Sequence, residues 1–131
     1  MIQFFIQGIP IPQGSHRKTR SGHIIDSNPR LKKWRDTIRQ TASANRPPQP
    51  IDKPVEVTAV FAFQRPKHTK FPDYPAGKGP GDLDKLERAI GDGLEQSRIL
   101  TNDARIVTWR THKRWCVPGE HEGCIIQIKE L

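Results

Sequence analysis

The sequence predicts a single α/β (α+β) domain over residues 1–131, a mixed β-sheet packed with two helices in the order β-α-β-α-β-β. Three observations predict it. Short runs rich in β-branched and aromatic residues alternate with two longer stretches of helical periodicity. A chain of 131 residues is long enough to bury roughly two-thirds of its unfolded surface around one core. The Pro/Gly/Lys-rich stretch RPKHTKFPDYPAGKGPG leaves too little chain after it for a second domain, so it reads as a surface loop rather than a linker. There is no internal repeat.

The elements follow in order. Residues 2–7, IQFFIQ, alternate only in part, but their apolar, β-favouring content predicts a strand. GSHRKTRSGH is a basic loop with the character of a hairpin leading to Ile24 and Ile25. Asp26, Ser27 and Asn28 offer N-caps, and Pro29 suits a first helical turn. Leu31, Trp34, Ile38 and Ala42 then recur at helical spacing, and Arg46-Pro47-Pro48 stops that helix. VEVTAVFAF, residues 55–63, reads as a central strand, with Val55, Val57, Ala59, Phe61 and Phe63 on one face. Leu83, Leu86, Ile90 and Leu94 predict a second helix from 83 to about 96. A strand follows Asp103, and a turn at Pro118 and Gly119 reads as a hairpin to the last strand.

Charge points to the partner. Lysine and arginine total 22 against 14 acids, a formal net charge of +8. A polyanion fits this balance, and nucleic acid leads because cations that neutralise phosphates release condensed counterions. No apolar run approaches a spanning length and no basic amphipathic helix stands out, which argues against a membrane partner. The first residues lack the pattern of a cleaved leader, so the expected compartment is the cytoplasm. There the free thiol is the expected state of Cys116 and Cys124. Adding His121 to them does not make a zinc pattern, because no second cluster accompanies it.

Against this basic background GPGDLDKLERAIGDGL concentrates acid at one corner. Asp82 sits where an N-cap belongs and Asp84 lies in the first helical turn, which ordinary helix construction would explain. Asp103 is the third acid, at the start of the next strand. If packing brought it to the other two, three carboxylates would meet at one sheet edge. Such a set is best tolerated around a hard cation, Mg²⁺ or Mn²⁺, which activates water and stabilises charge on a phosphate.

The run DLDKLERAIGDGL, a short turn and NDARIV closely resemble the RusA-type Holliday junction resolvases, most specifically over residues 81–107. Asp82 and Asp84 match the Asp-x-Asp that starts the family's helix, and Asp103 matches its last essential acid. The resemblance implies a homodimeric, Mg²⁺-dependent endonuclease that nicks four-way DNA symmetrically in recombination and repair, in a bacterial or phage-infected cell. It implies that Asp82, Asp84 and Asp103 hold the metal, with Mn²⁺ a possible substitute. Three departures stand out: Lys85 replaces a frequent asparagine, Arg88 stands where the family has a functional lysine, and Asn102 replaces the first acid of an Asp-Asp pair. Arg88 keeps the charge, for a role in phosphate binding or transition-state charge, but not the ammonium geometry.

A DNA-facing set surrounds these acids. Arg17, Lys18 and Arg20 come from the first loop, Lys67, Lys70 and Lys78 from the second, and Lys85 from the helix. Arg110, His112 and Arg114 share one face of the strand after Asp103. Solvated surface charge is the simpler alternative for any one of them. Trp34 is assigned to the core, and Trp109 and Trp115 to the core or a dimer interface. Two other functions fit the same residues: a non-catalytic basic DNA- or RNA-binding protein, and a metal nuclease for another branched or single-stranded substrate.

Overall fold

The computed structural model describes residues 1–14 and 28–131, together with the backbone of residues 17–18 and 24–25. Its elements are β1 (Ile2–Gln7), β2 (Arg17–Lys18), β3 (Ile24–Ile25), α1 (Pro29–Ala44), β4 (Val55–Phe63), α2 (Leu83–Gln96), β5 (Ile106–Trp115) and β6 (Gly123–Glu130). A single 3-10 turn, Asp103–Arg105, leads into β5. Strands β2 and β3 pair antiparallel as the small hairpin expected in the basic loop.

The main sheet has the order β1-β6-β4-β5. Strand β6 runs antiparallel to both β1 and β4, whereas β5 runs parallel to β4. Parallel neighbours need a long crossover, and α2 supplies it. The turn at Pro118-Gly119 is therefore not a hairpin between paired strands, because β4 lies between β5 and β6. Cys116 and Cys124 do not face each other across a ladder. Both are free thiols, Cys124 buried and Cys116 partly so. Burial pushes the Cys124 thiol well above its ordinary pKa, as expected where an anion would lose its hydration.

Both helices cover one face of the sheet. Asn28 caps α1, its side chain accepting from the amides of Arg30 and Leu31 at 3.0 and 3.3 Å, while Asp26 and Ser27 lie outside the described residues. The α1 stripe of Leu31, Trp34, Ile38 and Ala42 is buried. It packs with Leu86, Ile90 and Leu94 of α2 over Phe4, Ile6, Val57, Phe61 and Ile126 of the sheet. Trp109 and Trp115 pack partly buried against this core. Successive side chains alternate between faces, so Phe5, Ile125, Val60 and His112, paired in register, form a row on the side away from the helices.

Candidate active site

The corner before α2 is built for close approach. Gly81 has φ +88, and a Cβ there would meet the Pro12 ring at 2.6 Å, so only glycine fits. The helix that follows buries Leu86, Ala89, Ile90 and Leu94 and leaves Asp82, Asp84 and Arg88 exposed. Asp82 occupies the N-cap with extended backbone (φ −79, ψ 142), yet its side chain makes no capping hydrogen bond. It is 71% exposed and lies 3.4 Å from the Lys85 ammonium. Asp82 therefore stands at a cap position without doing a cap's usual work, which is to satisfy an orphan amide.

Asp103 lies in the 3-10 turn after α2. Asn102, in place of the acid expected there, caps that turn by accepting from the Ala104 amide at 2.7 Å. The Asp103 amide donates to Glu95 at 3.1 Å. Either side of it, the Thr101 hydroxyl and the Arg105 guanidinium both bond to Asp52, at 2.6 and 2.8 Å. The backbone is stitched at the same place, Ile51 N–H to Ile99 carbonyl (2.7 Å) and Thr101 N–H to Ile51 carbonyl (3.1 Å). Partial burial, with the nearby charges of Glu95 and Asp92, pushes the Asp103 carboxyl above its ordinary pKa.

Strand β5 returns from the C-terminal end of α2, and this decides which acids meet. A Cβ on Gly91 would lie 3.9 Å from Asp103 Cβ and 3.7 Å from the Trp109 ring, so Asp103 sits level with Gly91. Asp84 is seven residues earlier, about 10 Å along the axis at 1.5 Å per residue. Among the described residues no three His, Cys, Asp or Glu side chains are gathered to hold a metal ion. The donor oxygens suit a hard divalent cation, but one chain alone does not assemble them.

Several residues unassigned from sequence join this surface. Gln13 is 3% exposed. Its amide N–H bonds to the Lys85 carbonyl at 3.0 Å, and its Nε2 donates to Asp92 at 2.7 Å. The segment leading into the first basic loop is thereby pinned along α2. Asp92 follows Arg88 by one helical turn, a spacing visible in the sequence. Lys113 donates to the Gly81 carbonyl at 2.8 Å, and Thr111 donates to Glu87. Both contacts fasten β5 to α2.

The basic set divides. Arg110 pairs with Glu56 at 2.7 Å, and Arg114 grips Glu120 through two bonds of 2.5 and 2.6 Å. Both arginines thus have partners within the chain. His112 is exposed on the same strand face. In the second loop Lys67, Lys70 and Lys78 are exposed, Lys70 lying 5.7 Å from the Phe71 ring centre. The Trp115 indole donates to the Phe71 carbonyl at 3.1 Å, which ties that loop to β5. The side chains of Arg17 and Lys18, and Arg20 as a whole, lie outside the described residues.

The profile of the family described as Endodeoxyribonuclease RusA matches residues 7–129. No curated protein matches the chain. Among the described residues no helix is long and apolar enough to cross a membrane.

Proposed function

The chain belongs to the RusA family of endodeoxyribonucleases, and from that premise we propose that it resolves four-way DNA junctions by paired, symmetric nicks. The reaction depends on Mg²⁺, with Mn²⁺ as a substitute, and serves recombination and repair in the cytoplasm of a bacterial or phage-infected cell. The working form is a homodimer. Asp82, Asp84 and Asp103 are the metal ligands. Arg88, exposed one turn beyond Asp84, neutralises the phosphate at the cut. Lys67, Lys70, Lys78, Lys85, His112 and the first basic loop with Arg17, Lys18 and Arg20 hold the flanking backbone. Arg110 and Arg114 contribute positive potential through ion pairs they already make.

One observation carries the reading: Asp82 stands at the cap position of α2 with its carboxylate exposed and uncommitted to capping. Ordinary helix construction does not account for it there. Since the three acids do not converge within one chain, no step through the metal is derived from a single subunit.

The test is incubation with synthetic four-way junctions and with linear duplex, each with Mg²⁺, with Ca²⁺ and without metal. Symmetric nicks in the junction under Mg²⁺, binding without cutting under Ca²⁺, and intact linear duplex are expected. Binding should weaken steeply with salt, as when several phosphates are neutralised. Junction binding with no cutting under Mg²⁺ or Mn²⁺ would make the protein a binding module instead. Preferential cutting of flaps or single strands would move it to another substrate class.

A further inference from the structure

We propose that the carboxylate set is completed across a two-fold axis by a second copy of this chain, joined edge to edge along β5, so that Asp82 and Asp84 of each subunit act with the partner's Asp103. The inference rests on the nuclease reading above and says where its site is built.

Rearrangement within one chain is a poor alternative. Asp103 is held by its amide bond to Glu95, by the Asn102 cap, and by the paired Thr101 and Arg105 contacts to Asp52. Carrying it about 10 Å toward Asp84 would break all of these and detach β5 from the turn.

The free edge is suited to a copy of itself. Strand β5 has ten residues and pairs on one side only, with β4. It contains no proline, and among its cations Arg110, Lys113 and Arg114 are occupied within the chain. The usual guards of an exposed edge, proline and free inward-pointing charge, are thus largely missing. Val107 is 59% exposed on it.

Register then decides the matter. Contacts between α2 and β5 put Lys113 level with Gly81, Thr111 with Glu87, and Trp109 with Gly91 and Asp103. Strand and helix therefore run in opposite directions, with Asp84 level with the span between Lys113 and Thr111. Antiparallel pairing about a two-fold through Thr111 sets each residue n against the partner's residue at the same distance beyond Thr111. It overlaps almost the whole length of both edges. The level of Asp84 then meets the level of the partner's Trp109, which is that of the partner's Asp103. Side chains facing each other stay on the same side of the sheet, and Val107 meets the partner's Trp115 as an apolar cross-strand pair. The same operation completes the second site, as an isologous interface requires.

Two experiments on the full chain test this. In a Cys116→Ser background, Thr111→Cys should be cross-linked to a covalent dimer by a short bis-maleimide, because Thr111 lies against its own copy. Thr58→Cys, on the open sheet face of β4, should not. A monomeric mass near 15.0 kDa at micromolar concentration, or cross-linking at Thr58 and not at Thr111, would overturn the interface. The second experiment mixes Asp84→Asn with Asp103→Asn subunits after each is shown to be inactive alone. In the mixed dimer one site has both acids intact across the axis, so a 1:1 mixture should regain about a quarter of the wild-type sites. The recovery should be read both as Mn²⁺ bound and as junctions nicked. If each site lay within one chain, the mixture would regain nothing, and that result would refute completion by the partner. Wild-type protein that cross-links at Thr111→Cys but never cuts would sink the nuclease reading and leave the interface standing.

Discussion

Two glycines of α2, two residues apart, should respond oppositely to the same substitution. A Cβ at Gly93 would lie 2.2 Å from Ile38 Cγ2 and 3.1 Å from Ile38 Cβ, where α1 crosses α2. Carbon contacts settle at about 3.5–4.0 Å, so the helices would have to part locally by more than about 1 Å. Ile38 cannot swing aside: it is fully buried, and β-branching restricts its rotamer in a helix. Overpacking of this severity costs about 3 kcal/mol, and alanine returns about 1 kcal/mol through helix propensity. Gly93→Ala should therefore destabilise by about 2 kcal/mol, a fall in Tm of roughly 8 °C for a domain of this size. At Gly91 the nearest atoms stand at 3.7 and 3.9 Å, ordinary contact, and only the propensity gain remains. Gly91→Ala should raise Tm by roughly 4 °C. Urea and thermal unfolding followed by circular dichroism measure both. Adding Ile38→Ala should relieve Gly93→Ala, with a coupling energy on the order of 1–3 kcal/mol. Gly93→Ala with wild-type stability, or equal losses at both glycines, would refute the close crossing of α1 and α2.

The other expectations concern the site and its supports. Asp82→Asn, Asp84→Asn and Asp103→Asn should each lower junction cutting by about a hundredfold or more, the scale for losing a group that holds transition-state charge. Gel-shift assays should find junction binding kept or strengthened, and normal nicking in any two of them would end the three-ligand assignment. Asn28→Ala should cost about 1 kcal/mol because it removes a real cap, whereas Asp82→Ala should cost only a few tenths; equal losses would restore the capping role of Asp82. The Arg114 guanidinium holds the Glu120 carboxyl below its ordinary value of 4.5. Between that depressed value and 4.5 the unfolded chain binds more protons, so the pair's stabilisation is present above 4.5 and is lost as pH falls through the depressed value. Glu120→Gln should thus be less stable than wild type by about 1 kcal/mol at neutral pH, with the gap closing in acid; a gap independent of pH would show that charge is not its source.

Local pattern was enough to read most of the elements. The α1 stripe, the central strand at 55–63 and the span of α2 follow from periods of 3.6 and 2, and burial follows the same alternation because it depends on nearby residues alone. The acids, and the resemblance they carry, were likewise visible in residues 81–107. Long-range pairing was not. Only the folded sheet inserts β4 between β5 and β6, which removes the hairpin expected at Pro118-Gly119 and leaves β5 as a long free edge. Only the fold commits Arg110 to Glu56 and Arg114 to Glu120, and buries Gln13 against Asp92, since these partners lie far away in sequence. It also frees Asp82 from the capping bond that its position suggested. Above all, spacing in sequence names Asp82, Asp84 and Asp103 but not their distances. A strand that starts where a helix ends returns along that helix, so the acid beginning the strand lies a helix's length from the acids beginning the helix.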